Sequence, residues 1–223
     1  MNNNIIIVGD SFCAFEGWGE VLAKELGCNL FRRGFGGHSW WTVRWTLQHD
    51  ISQQLYDNTE YIVFCHTIES RLLKPNNDIA HINPNDESDK REIAQAVRLY
   101  YKYIYDESVA HWTQEQWFRE ISNTYYRKYK LIHLHCFPWS WDKRNLLKGM
   151  NIGPSLTAIS LNELNATSLS QLAFCGRPNH LNEYNNTMLG QELAKLINNY
   201  QETDVFLDLT KFEQQTNKWT DWK

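Results

Sequence analysis

The sequence predicts an α/β domain with a doubly wound parallel sheet of about five strands, covered by helices on both faces in a three-layer α/β/α arrangement. Three observations predict it. Short continuous apolar runs, Ile5–Val8 and Tyr61–Cys65 foremost, have the pattern of strands buried on both faces. Segments with apolar residues at helical spacing separate these runs. The two patterns alternate from the start of the chain as β-α-β-α-β, which a parallel sheet with right-handed crossovers satisfies.

In order, Ile5-Ile6-Ile7-Val8 is the first strand and ends at Gly9. Phe15, Trp18, Leu22 and Leu26 then recur at helical spacing, and Gly27 is placed to cap that helix at its C-terminus. Cys28–Phe31 reads as the second strand and runs into the glycine-rich stretch Gly34–Gly37. A helix is expected from Trp40 to about Leu55, with Trp41, Trp45, Ile51 and Leu55 on or near one face, and Tyr61–Cys65 is the third strand. Lys74 to Asp89 is rich in Asn, Asp and Pro and reads as an exposed loop. Ala94, Val97, Tyr101, Ile104 and Ser108 mark a further helix face, and Thr113-Gln114-Glu115-Gln116 resembles a capping box opening another helix that carries Trp117 and Ile121. Lys130–Cys136 is the fourth strand, Trp139–Gly153 reads as loop, and Leu156–Leu161 as the fifth strand. The last helix is expected from about Glu183 to Ile197, with Leu189, Leu193, Leu196 and Ile197 facing inward. No internal repeat or low-complexity linker divides the 223 residues, so a single domain is expected.

Composition narrows the function classes. Hydrophobic residues at 42% and charged residues at 22% are those of a globular, not a disordered, chain. A formal charge of -4 and a pI near 6.1 argue against a general nucleic-acid binder, which needs a basic face. Ten Trp and eleven Tyr either fill the core or line a sugar- or partner-binding surface. Five cysteines, Cys13, Cys28, Cys65, Cys136 and Cys175, are an odd number with no C-x-x-C pair, so reduced thiols in a cytoplasmic setting are expected. Ile5–Val8 is too short for a signal-peptide core, and no run approaches the ~18 apolar residues of a membrane span. In that setting the N-x-[ST] sites at Asn165 and Asn185 carry no meaning.

Three short segments bear chemistry. Gly9-Asp10-Ser11-Phe12 stands at the C-terminal end of the first strand, where open α/β sheets place their ligands. A serine at the start of the following helix presents its own N–H to a developing oxyanion and lies in the field of the helix dipole. An N-cap role accounts equally for the tetrapeptide by itself. Arg33-Gly34-Phe35-Gly36-Gly37-His38-Ser39 supplies glycines whose N–H groups can approach a ligand closely, or else an ordinary glycine turn. Asn179-His180-Leu181-Asn182 puts a histidine at the entrance of the last helix, where it can serve as the base that a serine hydroxyl needs.

The order of these segments resembles the SGNH (GDSL-like) serine hydrolase family, whose members carry GDS(L/F) near the N-terminus and a histidine near the C-terminus. By architecture the resemblance covers most of the chain, and by sequence it covers three short motifs. It implies a flavodoxin-like fold, Ser11 as nucleophile, His180 as base, and an oxyanion hole made by the N–H groups of Ser11 and Gly37. Gly37 is chosen because the family's N-x-G-x-x-G pattern ends there. The G-x-S-x-G elbow of α/β-hydrolases, with its serine in mid-chain, is a different motif. Two positions depart from the family. Ile68 stands where the family has an oxyanion-donating asparagine, and Ile cannot donate, which makes His66 and Thr67 the candidate substitutes. Loss of one such donor typically costs about 10²–10³ in rate. Arg177 stands where the family has an aspartate three residues before the histidine, and an inward-pointing Arg177 lowers the histidine's pKa.

Other groups are weaker candidates. Asp10 is a possible supporting residue beside Ser11. Glu69 and Arg71 suit a surface ion pair, and Trp139 and Trp141 after the fourth strand suit either an aromatic wall of a substrate cleft or a packed loop. His133 and His135 alternate along one strand and could join His66 or His38 around a metal, but no carboxylate or cysteine spacing supports this and no metal is expected. The expected activity is hydrolysis of a small-molecule or carbohydrate acyl ester with no cofactor, no nucleic acid and no membrane. The competing reading is a non-catalytic binding or structural module on the same fold.

Overall fold

The computed structural model describes residues 3–14, 16–34, 39–52, 57–67, 91–137, 145–161 and 181–213. Six parallel strands form one sheet: β1 (Asn4–Gly9), β2 (Asn29–Gly34), β3 (Thr59–His66), β4 (Lys130–His135), β5 (Met150–Gly153) and β6 (Asp204–Phe206). Their spatial order is β2-β1-β3-β4-β5-β6, the order of flavodoxin-like doubly wound sheets extended by one edge strand. The chain turns left from β1 to β2 and then crosses to β3 on the other side of β1. In doubly wound sheets such a reversal marks the crevice, outside the C-terminal ends of the two strands concerned, where ligands bind; here those strands are β1 and β3.

The layers follow from alternation of side chains along each strand. Ile5, Ile7, Val63, Cys65, Ile132, Leu134 and Ile152 face helices α1 (Trp18–Leu26) and α6 (Glu183–Asn198), which contribute Trp18, Leu22, Leu189, Leu193 and Ile197. Ile6, Val8, Ile62, Phe64 and Leu131 face α2 (Trp40–Ser52) and α4 (Glu107–Thr124), which contribute Trp40, Val43, Leu47, Trp117, Phe118 and Ile121. Every residue of β1 is buried, as the expected position in the sheet interior requires. Gly27 caps α1 in the left-handed conformation at φ 63°, its N–H reaching the carbonyls of Ala23 and Lys24.

Four expectations are corrected. The fifth strand is Met150–Gly153, inside the stretch read as loop, and a sixth follows at Asp204–Phe206. Leu156–Leu161 is a short helix, α5, because Leu156 and Ile159, one turn apart, both pack into the α1/α6-side core. The helix read through Ser108 stops at Tyr103 (α3, Arg91–Tyr103), and α4 begins at Glu107. Asp106 is the reason, since its carboxylate accepts from the N–H groups of Ser108 and Val109 and caps α4 there, leaving Thr113–Gln116 within the helix. In α2 the buried stripe is Trp40, Val43 and Leu47, whereas Trp41 and Trp45 are 40% and 65% exposed. Among the described residues, no helix is long and apolar enough to cross a membrane.

Candidate functional site

The site is built at the crevice end of β1. Gly9 ends the strand in register with Gly34 of β2 and Cys65 of β3. Asp10 follows, wholly buried, and its Oδ1 accepts from the N–H of Phe12 at 3.0 Å and from the Cys136 thiol at 3.1 Å. Asp10 therefore caps the turn that carries Ser11, and a thiol from the end of β4 braces it. Ser11 opens a 3-10 turn, Ser11–Cys13, and is buried. The helix expected at Ser11 starts only at Trp18, so the α1 dipole does not act on the serine.

Two glycines make room for this turn. A Cβ on Gly34 would lie 2.6 Å from the Cys13 backbone and thiol, and one on Gly9 would lie 2.5 Å from Cys65 Cβ and O. Burial first, and contacts with Cys13 and Cys136 second, push the Cys65 thiol well above its ordinary range. Burial likewise raises Cys136, with the Asp10 carboxylate acting in the same direction. Both thiols stay protonated at neutral pH, and Cys136 can go on donating to Asp10.

A second run of hydrogen bonds ties the serine turn to the start of α6. Trp18 Nε1 donates to the Phe12 carbonyl at 2.8 Å, and the Trp18 backbone N–H donates to Asn186 Oδ1 at 3.1 Å. Asn186 Nδ2 in turn donates to the carbonyls of Leu181 at 2.7 Å and Asn182 at 3.1 Å. The residue after Ser11 and the residue after His180 are thus linked through two side chains. Leu181 and Phe12 also belong to one core cluster. Gly17 permits the link, since a Cβ there would lie 2.5 Å from Asn186 Oδ1.

On the β3 side, His66 and Thr67 are both buried. His66 Nε2 lies 2.9 Å from His133 Nδ1, and His133 Nε2 lies 3.0 Å from the Lys148 carbonyl. A carbonyl only accepts, so His133 carries its proton on Nε2, and His66 must donate from Nε2 to His133 Nδ1. His135 stacks on His66 with ring centroids 5.1 Å apart. Burial pushes His133 down to about 4, against the opposing hydrogen bond to Lys148. Burial, then the neighbouring imidazoles, hold His66 and His135 well below the usual histidine range. The three rings are neutral, and they pack against each other and against Phe64 and Phe118. Among the described residues, no group of three or more His, Cys, Asp or Glu side chains is arranged to hold a metal ion.

Of the sequence-derived candidates, Asp10, Ser11, His66 and Thr67 gather around the crevice. Gly37, His38, Ile68, Glu69, Arg71, Trp139, Trp141, Arg177 and His180 lie outside the described residues. So does Asn165, whereas the other N-x-[ST] asparagine, Asn185, is fully buried and exchanges two hydrogen bonds with the Glu213 backbone. Sequence reasoning missed Trp18, Gly34, Gln114, Cys136 and Asn186. For Gly34 the signal was present, a glycine closing the strand beside the serine strand; the other four depend on the long-range hydrogen bonds Gln114 to Thr67, Cys136 to Asp10 and Trp18 to Asn186, which leave no local pattern. No protein-family model matches the chain, and no curated protein matches it.

Proposed function

We propose that the protein is a serine-dependent acyl-ester hydrolase of the SGNH type, forming an acyl-enzyme on Ser11 with His180 as base. The observation that carries this reading is the Phe12–Trp18–Asn186–Leu181 run of hydrogen bonds, which couples the immediate neighbours of Ser11 and His180 at the crevice edge of the sheet. The capped turn at Asp10 and the glycine clearance at Gly34 support it, because a nucleophile must be held rigidly to benefit from a nearby base.

In the proposed reaction, His180 takes the proton from Ser11 Oγ as the oxygen attacks the ester carbonyl carbon. The carbonyl oxygen becomes an oxyanion held by the N–H groups of Ser11 and Gly37. Collapse of the tetrahedral intermediate breaks the bond to the alcohol oxygen, which leaves with the proton from His180. A water molecule then gives a proton to His180 and attacks the acyl-enzyme. The carboxylic acid departs and Ser11 Oγ recovers its proton. The substrate class is a small acyl ester of an alcohol, with a carbohydrate O-acyl group favoured by the exposed tryptophans Trp41, Trp45 and Trp112.

Hydrolysis of p-nitrophenyl acetate by the full chain tests the reading. Turnover that falls by about 10³-fold or more in both Ser11→Ala and His180→Ala is expected. Turnover that survives Ser11→Ala contradicts the assignment.

A further inference from the structure

At the end of β3 a buried hydroxyl stands without a partner. Thr67 is only 6% exposed, and its Oγ1 has no hydrogen-bond partner among the described residues. A buried unsatisfied hydroxyl is unfavourable for folding, so its retention at a ligand-binding crevice points to a partner that arrives with the substrate.

Thr67 and Ser11 both follow the last paired residues of the two neighbouring strands β3 and β1. Gly9 of β1 pairs with Cys65 of β3, Ser11 is two residues beyond Gly9, and Thr67 is two residues beyond Cys65. Cys65, Phe12 and Cys13 belong to one core cluster, which brings the residues flanking Thr67 and Ser11 together at this end of the sheet. The backbone there is held from the opposite side of the sheet. Gln114 of α4 is buried, and its Nε2 donates to the Thr67 carbonyl at 3.1 Å. The preceding residue, His66, is fixed through His133 to the Lys148 carbonyl. Two buried polar contacts therefore immobilise the strand end whose hydroxyl is left over.

We propose that the Thr67 hydroxyl is an oxyanion donor for the tetrahedral intermediate formed on Ser11, and that Gln114 is the residue that positions it. The inference rests on Ser11 being the nucleophile. The hydroxyl hydrogen-bonds the developing oxyanion, no proton is transferred, and the bond is absent when no substrate is bound. A donor used only in the transition state raises kcat and leaves KM little changed.

The test uses the full chain with p-nitrophenyl acetate, thermal unfolding of each variant, and Ser11→Ala as the reference for serine-dependent turnover. Thr67→Val keeps the shape and removes the donor. Its kcat is expected to fall by about 10²–10³ with KM little changed, while its Tm is equal to or above that of the wild type because an unsatisfied hydroxyl has been removed. Thr67→Ser restores the donor and is expected to recover kcat to within about tenfold of the wild type. Gln114→Leu is expected to lower kcat, and the double variant to be no slower than Thr67→Val, since both changes remove the same interaction. Wild-type kcat in Thr67→Val, with turnover still dependent on Ser11, overturns this inference and leaves the hydrolase reading intact. Equal losses in Thr67→Val and Thr67→Ser also overturn it. Absence of Ser11-dependent turnover in the wild type overturns both.

Discussion

The two faces of the sheet meet at the same crevice but are built from different chemistry. On the α1/α6 face the residues beneath Ser11 are Cys13, Cys65 and Cys136, set among aliphatic side chains. On the α2/α4 face the corresponding level holds His66, His133 and His135, packed with Phe64 and Phe118. Thiols are small and weakly polar, so they allow the close approach of the serine turn, and Cys136 donates to Asp10 Oδ1 without importing charge. Imidazoles each carry a donor and an acceptor, and the fold must place both. It does so for His133 by a directed run from His66 to the Lys148 carbonyl. The thiol face gives room to the Ser11 turn; the imidazole face gives rigidity to the end of β3.

Acid separates the two faces most strongly. The three histidines are neutral in the fold with depressed pKa values, so the unfolded chain binds protons more readily. Stability is then full above the unfolded histidine pKa near 6.5 and is lost as pH falls toward the folded values, about 4 for His133. His133 alone accounts for a loss on the order of 3 kcal/mol at the acid end of that window. Urea unfolding at pH 7.5, 6.0 and 5.0 should show a steady decline. A flat profile would mean that the rings titrate normally and that the buried relay is wrong. Cys65 and Cys136 add nothing to this window because burial keeps their thiols protonated throughout.

Next in size is His133→Leu, which leaves both the His66 Nε2–H and the Lys148 carbonyl without a partner. A loss of about 2–4 kcal/mol at pH 7.5 is expected from urea unfolding, together with a flatter pH profile. Cys136→Ala on the other face removes one of the donors to Asp10 and a small volume, for about 1–2 kcal/mol. If Cys136→Ala proves as damaging as His133→Leu, the two faces are not distinguished by polar satisfaction. The smallest effect belongs to the far end of the sheet. Lys130 pairs with Glu60 at 2.6 Å but is 45% exposed, so Lys130→Ala should change stability by no more than about 0.5 kcal/mol.

Much of this architecture is legible in the sequence where the pattern is long. Ile5–Val8, Tyr61–Cys65, Lys130–Cys136 and the helix ending at Gly27 all stand close to where their apolar spacing puts them. β5 and β6 have four and three residues, too few for a period to show. Leu156–Leu161 is equally ambiguous, because six mostly apolar residues suit a buried strand or a short helix, and only packing decides. The split between α3 and α4 turned on Asp106, whose capping strength outweighed a continuous apolar spacing.

The site divides in the same way. Asp10 and Ser11 are legible because their meaning comes from standing at a strand end. Gln114, Cys136 and Asn186 are not, because each depends on a hydrogen bond to a residue 47, 126 or 168 positions away. Pairings of that kind follow from the sheet order and leave no trace in local spacing.

The central claim is that Ser11 is an activated nucleophile, and labelling with a fluorophosphonate probe followed by peptide mapping tests it most directly. The account predicts one covalent adduct, on Ser11, that is lost in both Ser11→Ala and His180→Ala. A folded wild-type protein that takes up no probe, or takes it up at another residue, would contradict it and favour a binding module built on the same sheet.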